Sequence, residues 1–193
     1  MVGDYEEDGF VIVREFIPPH MAAFFRTYME TLDRTDRMTD GDAQVGRSRC
    51  VYGDPALDTF MMMSTPMASR IIGKELLPTY TYARIYAQGA ELLPHLDRPE
   101  CEHSMTISFG GEYDELWPIW LMDRVRHSSP QMAALNPGDA VIYRGTQLSH
   151  WRDEFLGKSQ YQAFLHFVEA SGEHSGRLFD GRPYIGMGAD TKR

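Results

Sequence analysis

The chain has 193 residues, of which 42% are hydrophobic and 12% aromatic, a composition typical of one globular domain rather than a disordered chain. Its net charge of −9 argues against general binding to nucleic acid or anionic membranes, since both require a basic surface. No apolar stretch approaches the roughly 20 residues that span a bilayer, and the first residues show no basic-then-apolar leader. Two cysteines make no disulfide framework, so we expect a cytoplasmic protein.

Helices dominate the prediction for the first part of the chain. The short apolar run at residues 9–13 predicts a strand, and the spacing of apolar residues predicts a helix over 18–32 that opens on a proline pair. Residues 33–53 are charged, contain glycine and lack periodicity; we predict a surface loop there, a candidate lid near a substrate entrance. Prolines and a cap residue predict two further helices, over 55–61 and 65–73.

Beyond Pro78 the pattern changes to strands separated by glycine and proline turns. Residues 79–87 alternate, which places Tyr80, Tyr82, Arg84 and Tyr86 on one face of a strand. Further extended runs are predicted at 104–109, 117–122, 140–143 and 159–168. Helices followed by many short strands are typical of a β-sandwich or barrel with helices on one flank.

Three residues suggest a metal centre. His95 and Asp97 form an H-x-D pair just after the long strand, and His150 lies far downstream, just before the last predicted strand. Side chains two residues apart on an extended segment point the same way. Two imidazoles and one carboxylate cover one face of an octahedral ion and leave the opposite face open, as in non-haem Fe(II) oxygenases.

The residues around this triad resemble a known family, the Fe(II)/2-oxoglutarate-dependent oxygenases, nearest the prolyl 4-hydroxylase-like branch. The similarity is carried by residues 82–89 (YARIYAQG) leading to His95-Leu96-Asp97, by residues 135–139 (LNPGD) and Arg144-Gly145 leading to His150, and by residues 8–13 (DGFVIV). These motifs occur in the family's order and cover most of the chain.

The resemblance implies one oxygenase domain over residues 1–193. It would have a helical flank at about 14–75, a double-stranded β-helix (jelly-roll) core at about 79–170 and a C-terminal tail at 171–193. It also implies His95, Asp97 and His150 as iron ligands and Tyr86 as a hydrogen-bonding partner of the cosubstrate. The implied cofactors are Fe(II), 2-oxoglutarate and O₂, with ascorbate as an optional reductant.

The far carboxylate of 2-oxoglutarate needs a buried cation or strong donors, because an unpaired charge in the core is costly. The family's Lys or Arg, about ten residues after the distal histidine, is replaced here by Gln160. Three substitutes remain open. Arg152 shares the face of His150 on an extended segment, Lys158 begins the last strand, and Arg84 shares a face with Tyr86.

The leading functional hypothesis is therefore a dioxygenase that hydroxylates a C–H bond of a peptide residue or small molecule and releases succinate and CO₂. Nucleic acid and membrane are not expected as partners. Two alternatives remain: a cupin-like metal enzyme that does not use 2-oxoglutarate, which the glutamine at position 160 favours, and a non-catalytic binding relative. Outside the triad, we predict His166 as a core histidine and His103 as a surface residue, and Arg98 either clamps an acidic substrate or is a solvated loop charge.

Overall fold

The computed structural model describes residues 1–123 and 125–191. The strands are β1 Phe10–Val13, β2 Thr39–Asp40, β3 Ser48–Tyr52, β4 Leu76–Ala87, β5 Leu92–His95, β6 His103–Glu112, β7 Ile119–Met122, β8 Gln131–Ala133, β9 Ala140–Tyr143, β10 Ser149–Arg152 and β11 Ser159–Glu169. The helices are α1 Tyr5–Asp8, α2 Pro19–Arg34 and α3 Pro55–Ile72, with short 3₁₀ segments at Pro99–Cys101, Ser175–Gly181 and Ala189–Thr191.

The strands form two antiparallel sheets. The larger has the order β1-β9-β6-β11-β4-β3-β2, and the smaller has the order β5-β10-β7-β8. β2, β3 and β4 are neighbours in both sequence and sheet, whereas β1 pairs with β9 and β11 with β4, so hydrogen bonds of the larger sheet join distant parts of the chain. No described helix is both long and apolar enough to cross a membrane.

Three clusters of buried apolar residues lie in the described part of the chain, and the two largest hold these layers together. Helices α2 and α3 pack on one face of the larger sheet, where Phe25 and Met61 meet Ile107 of β6 and Leu165 of β11. A second cluster lies between the two sheets and includes Leu121 of β7. Each such buried side chain contributes about 1.5–3 kcal/mol to the free energy of unfolding. The predicted mainly-β fold with helices on one flank is confirmed.

The prediction of two helices over residues 55–73 is wrong, because α3 is continuous through Pro66. Proline removes one backbone N–H, which leaves the carbonyl of Met62 without its partner one turn later. Pro66 and Met62 both lie on the exposed side of α3, so water can hydrate that carbonyl. The predicted end at Gly73 is confirmed: Gly73 caps the helix in a left-handed conformation with φ of 78°.

The predicted surface loop over residues 33–53 is wrong in its second half. There β3 pairs with β4 in antiparallel register, from Ser48 opposite Tyr86 to Tyr52 opposite Tyr82. The strand is short, and only two of its residues are buried, so its sequence shows little alternation. Residues 41–47 connect β2 to β3 and remain outside regular structure.

The segment after β11 is anchored to the fold rather than extending from it as a tail. The side chains of Arg182 and Asp58 are completely buried and pair at 2.9 Å, and Arg182 also donates to the carbonyl of Thr79. Asp180 accepts from Tyr52 at 2.5 Å and pairs with Arg98 at 2.8 Å. These contacts hold residues 175–187 against α3 and β4. Residues 192–193 of the predicted tail lie outside the described residues.

Candidate metal and cosubstrate site

His95, Asp97 and His150 converge at one edge of the smaller sheet. His95 ends β5 and lies directly opposite His150 in the register of β10, and Asp97 follows two residues after β5. The Oδ1 atom of Asp97 is 3.4 Å from Nε2 of His150 and 3.6 Å from Nε2 of His95. One potential ligand atom from each residue lies within 4.8 Å of the others, so the three are close enough to bind one metal ion.

Backbone carbonyls orient the two imidazole rings. Nδ1 of His95 lies 2.9 Å from the carbonyl oxygen of Leu93, and Nδ1 of His150 lies 3.0 Å from that of Leu148. A carbonyl only accepts, so each Nδ1 carries the proton and each Nε2 keeps its lone pair. Both lone pairs are therefore available at the point where Oδ1 of Asp97 lies, as a metal centre requires.

The electrostatics of the triad keep the carboxylate charged. Burial by itself would raise the pKa of Asp97, but the neighbouring His150 and His95 rings outweigh burial and hold that pKa well below its usual range. Burial lowers the pKa of His95, but in the protonated ring Nε2 donates a hydrogen bond to Asp97, which more than offsets burial, so the net pKa is raised. In the neutral ring Nε2 carries only its lone pair, and a bound metal would take the place of that proton. An ionised carboxylate between two imidazoles is the donor set that suits a divalent transition metal.

Gly145 leaves the space that the Asp97 carboxylate occupies. Its carbonyl accepts from the backbone N–H of Asp97 at 2.9 Å. A Cβ atom at this position would lie 2.5 Å from Oδ2 of Asp97 and 2.3 Å from the carbonyl oxygen of Cys101. The glycine is therefore needed here for close approach to the carboxylate of Asp97 and not for an unusual φ angle.

A cavity of about 340 Å³ extends from the triad into the space between the sheets. Tyr80, Tyr82, Arg84 and Tyr86 of β4 all line it, so the structure places on one wall the face that the alternation of residues 79–87 predicts. Phe164 and His166 of β11, together with Leu92, Ile119 and Tyr143, complete much of the lining. Arg152 lies in the same cavity as the triad.

Arg152 is a buried cation with no carboxylate partner among the described residues. The residue is 1% exposed; its Nη1 donates to the carbonyl of Trp117 at 2.6 Å and its Nη2 to Oε1 of Gln162 at 3.1 Å. Its Nε is buried and has no hydrogen-bond partner, and no acid in the described part of the chain forms an ion pair with it. Burial lowers the pKa of Arg152, and the neighbouring Tyr86 and Tyr143 only partly offset this decrease. An incoming carboxylate would supply the missing charge.

The other two candidate cations have different surroundings. Arg84 is buried in the cavity wall, but its Nη2 already binds Oδ2 of Asp42 at 2.6 Å. The side chain of Lys158 is 78% exposed and binds Glu112 at 2.7 Å, so it does not line the cavity. Of the three residues, Arg152 is the one whose charge is left uncompensated.

Sequence reasoning did not identify the residues that position Arg152. The ring of Trp117 lies 4.8 Å from its guanidinium carbon and 4.9 Å from the ring of Tyr86. Gln162 reaches Arg152 from β11, on the same inward face as Gln160, Phe164 and His166. The two-residue period of β11 is enough to predict that Gln162 points inward. Its contact with Arg152 follows only from the way β11 packs in the fold.

The remaining candidate residues also have defined partners. His166 is buried and hydrogen-bonds Ser104, as a core histidine, yet it also lines the cavity; burial lowers its pKa to about 4. The prediction of His103 as a surface residue is wrong, because it is 3% exposed and hydrogen-bonds Tyr5. Arg98 lines the cavity but is paired with Asp180 and Glu100, so its charge is compensated within the chain.

No protein-family model and no curated protein sequence matches the chain. Solved structures do match its fold. A prolyl-4-hydroxylase from Pseudomonas putida aligns with a TM-score of 0.70 at 12% identity, over 86% of this chain and 95% of that one. The α-ketoglutarate-dependent carbocyclase SnoK of nogalamycin biosynthesis gives 0.72 at 13%, over 95% and 91%. HygX from Streptomyces hygroscopicus, with nickel and 2-oxoglutarate bound, gives 0.67 at 11%, over 86% and 85%.

These similarities cover most of both chains in each pair. The identities are low, so they establish the three-dimensional fold and not the reaction. The predicted double-stranded β-helix core with a helical flank is thereby confirmed, and the fold of this chain is that of prolyl 4-hydroxylase-like 2-oxoglutarate oxygenases.

Proposed function

We propose that this protein is an Fe(II)- and 2-oxoglutarate-dependent dioxygenase. The observation that carries the proposal is the pairing of two groups in one cavity: a triad with the donor set for Fe(II), and a buried arginine that lacks an anion. The triad alone is compatible with many metal enzymes. The uncompensated charge of Arg152 adds a reason for a cosubstrate with a carboxylate at its far end.

Each residue has a distinct task in this proposal. His95, Asp97 and His150 hold the metal through two Nε2 atoms and Oδ1, and Arg152 binds the far carboxylate of 2-oxoglutarate, with Tyr86 beside it. When bound, iron supplies the redox chemistry that couples decarboxylation of 2-oxoglutarate to succinate and CO₂ with hydroxylation of a C–H bond. The protein contributes orientation and the exclusion of water, since His150 and Arg152 are 2% and 1% exposed.

Apart from the surroundings of Arg152, the cavity favours an uncharged substrate group. Tyr80 and Tyr82 supply aromatic surface to its lining, and the two other arginines that line it, Arg84 and Arg98, are already paired with acids. An anionic group would have to displace one of those acids. We therefore infer hydroxylation of a peptide residue or of a small molecule with a neutral reacting part, two substrate classes consistent with the names of the structural relatives.

Anaerobic titration with Fe(II), with and without 2-oxoglutarate, tests the function. We expect a visible charge-transfer band that needs both additions, and succinate on admitting O₂. Asp97→Ala should lose both signals, because its carboxylate completes the metal-binding face. A wild-type protein that binds Fe(II) but gives neither band nor succinate would overturn the proposal and favour a metal enzyme of another type.

A further inference from the structure

The two carboxylate oxygens of Asp97 have different neighbours. Oδ1 faces Nε2 of both imidazoles, at 3.4 and 3.6 Å. Oδ2 accepts a hydrogen bond from Oγ of Ser104 at 2.8 Å. One oxygen is thus directed at the metal position while the other is already bound within the protein.

Ser104 belongs to a directed chain of hydrogen bonds. It is completely buried on β6, directly opposite His166 of β11 in the sheet register. Its Oγ lies 3.0 Å from Nδ1 of His166 and 3.4 Å from the carbonyl oxygen of Cys101. The single hydroxyl proton is best used on the nearer and charged acceptor, Asp97, because charge-assisted hydrogen bonds are the stronger ones.

The direction of the Ser104 hydrogen bond determines which ring nitrogen of His166 carries the proton. Since the hydroxyl of Ser104 donates to Asp97, its oxygen is left to accept, and Nδ1 of His166 must carry the proton. The chain therefore runs from His166 on β11 through Ser104 on β6 to Oδ2 of Asp97. Both strands belong to the larger sheet, so the carboxylate of a loop residue is held by two hydrogen-bonded strands of the fold.

We propose that Ser104, oriented by His166, is a positioning residue that restricts Asp97 to one metal-binding oxygen. Two imidazoles and one carboxylate oxygen leave the opposite face of an octahedral ion open. A second oxygen from Asp97 would close part of that face, which a two-oxygen cosubstrate and O₂ both need. This inference rests on the metal site of the proposed function and goes beyond it by assigning a role to Ser104 and His166.

Co(II) binding and its visible absorption test the inference without any turnover. We expect Ser104→Ala to retain Co(II) but to show the spectrum of a higher coordination number, since Oδ2 becomes free to bind. Its affinity for added 2-oxoglutarate should fall below that of the wild type, because the second oxygen of Asp97 would occupy part of the open face that the cosubstrate needs. The matched control is Ser108→Ala, which removes another buried hydroxyl of β6 that contacts Gln160 rather than the triad.

Variants of His166 separate positioning from simple packing. His166→Asn keeps an N–H close to the position of Nδ1, so its Co(II) spectrum should stay near that of the wild type. His166→Leu keeps the bulk but leaves Ser104 unoriented, so it should shift the spectrum in the direction of Ser104→Ala by a smaller amount. Circular dichroism melts of all four variants establish that they are folded.

The possible outcomes distinguish this inference from the proposed function. Identical Co(II) spectra and affinities for wild type and Ser104→Ala overturn the role of Ser104, whether or not 2-oxoglutarate binds. If the Co(II) spectrum depends on Ser104 but the protein does not bind 2-oxoglutarate, the positioning role is supported and the proposed cosubstrate is overturned. A wild-type protein that binds no Co(II) overturns both.

Discussion

The two ends of the cavity differ in how far the protein itself compensates a buried charge. At the metal end, the carboxylate of Asp97 lies next to two imidazoles and accepts a hydrogen bond from Ser104. At the other end, the charge of Arg152 meets a backbone carbonyl and an amide, both neutral. A buried ion without a counter-ion costs free energy that a ligand of opposite charge recovers. Replacing Arg152 should therefore cost little free energy of unfolding. The position of Asp97, in contrast, is held by contacts that the fold itself provides.

The largest effect that this comparison predicts is on cosubstrate binding in Arg152→Met. Losing a buried charged partner costs about 2–5 kcal/mol of binding free energy, so the KM for 2-oxoglutarate should rise roughly 30-fold or more. The free energy of unfolding of the ligand-free protein should change by no more than about 1 kcal/mol, because relief of the buried charge offsets the lost hydrogen bonds. Steady-state succinate assays and urea denaturation measure the two quantities.

Two other cations provide the controls for Arg152. Arg84→Met removes a buried arginine that already has an acid partner, and Lys158→Ala removes an exposed lysine paired with Glu112. Both should change the KM for 2-oxoglutarate by much less than Arg152→Met. If Arg84→Met instead has the larger effect on KM, the anion binds at Arg84 after displacing Asp42, and the assignment of Arg152 is wrong.

At the metal end, we expect an added methyl group that crowds Asp97 to weaken metal binding, without any loss of charge. In Gly145→Ala the new methyl group lies on Oδ2 of Asp97, 2.5 Å away, and on the backbone of Cys101. Displacement of the carboxylate should weaken metal binding roughly 10- to 100-fold, as for other residues that orient ligands. Isothermal titration with Co(II) measures this affinity.

Gly176→Ala is the matched control for the effect of Gly145→Ala on metal binding. A Cβ at Gly176 meets nothing within 4 Å, so this substitution should leave Co(II) affinity unchanged. Equal affinities for Gly145→Ala and wild type would mean that Asp97 does not need the observed position to bind metal, and the difference between the two ends of the cavity would disappear.

The two ends also differ in how far the sequence predicts them. His95 and Asp97 are two residues apart on one segment, and the period of an extended chain is enough to bring them together. The inward face of β4, from Tyr80 to Tyr86, follows from the same period. His150 needs the pairing of β10 with β5, which the family resemblance supplied and periodicity does not.

The arginine end depends on contacts between distant elements. Arg152, Trp117 and Gln162 come from β10, the segment before β7, and β11, and no local pattern shows that they meet. The same limit explains the missed strand β3, whose partner β4 begins more than twenty residues later, and the buried pair between Arg182 and Asp58. Local periodicity predicts which way a side chain points and not which other segment it faces.

The smallest predicted effect compares two neighbouring glutamines on β11. Gln162 accepts from the guanidinium of Arg152 at 3.1 Å, whereas Gln160, at the position of the family's usual cation, donates to Ser108 at 3.2 Å. Gln162→Met should raise the KM for 2-oxoglutarate about 5-fold, equivalent to about 1 kcal/mol for one hydrogen bond that orients Arg152. Gln160→Met should leave this KM unchanged in the same succinate assay. The reverse order would indicate that the cosubstrate still reaches the family's usual position and that Arg152 is a structural residue.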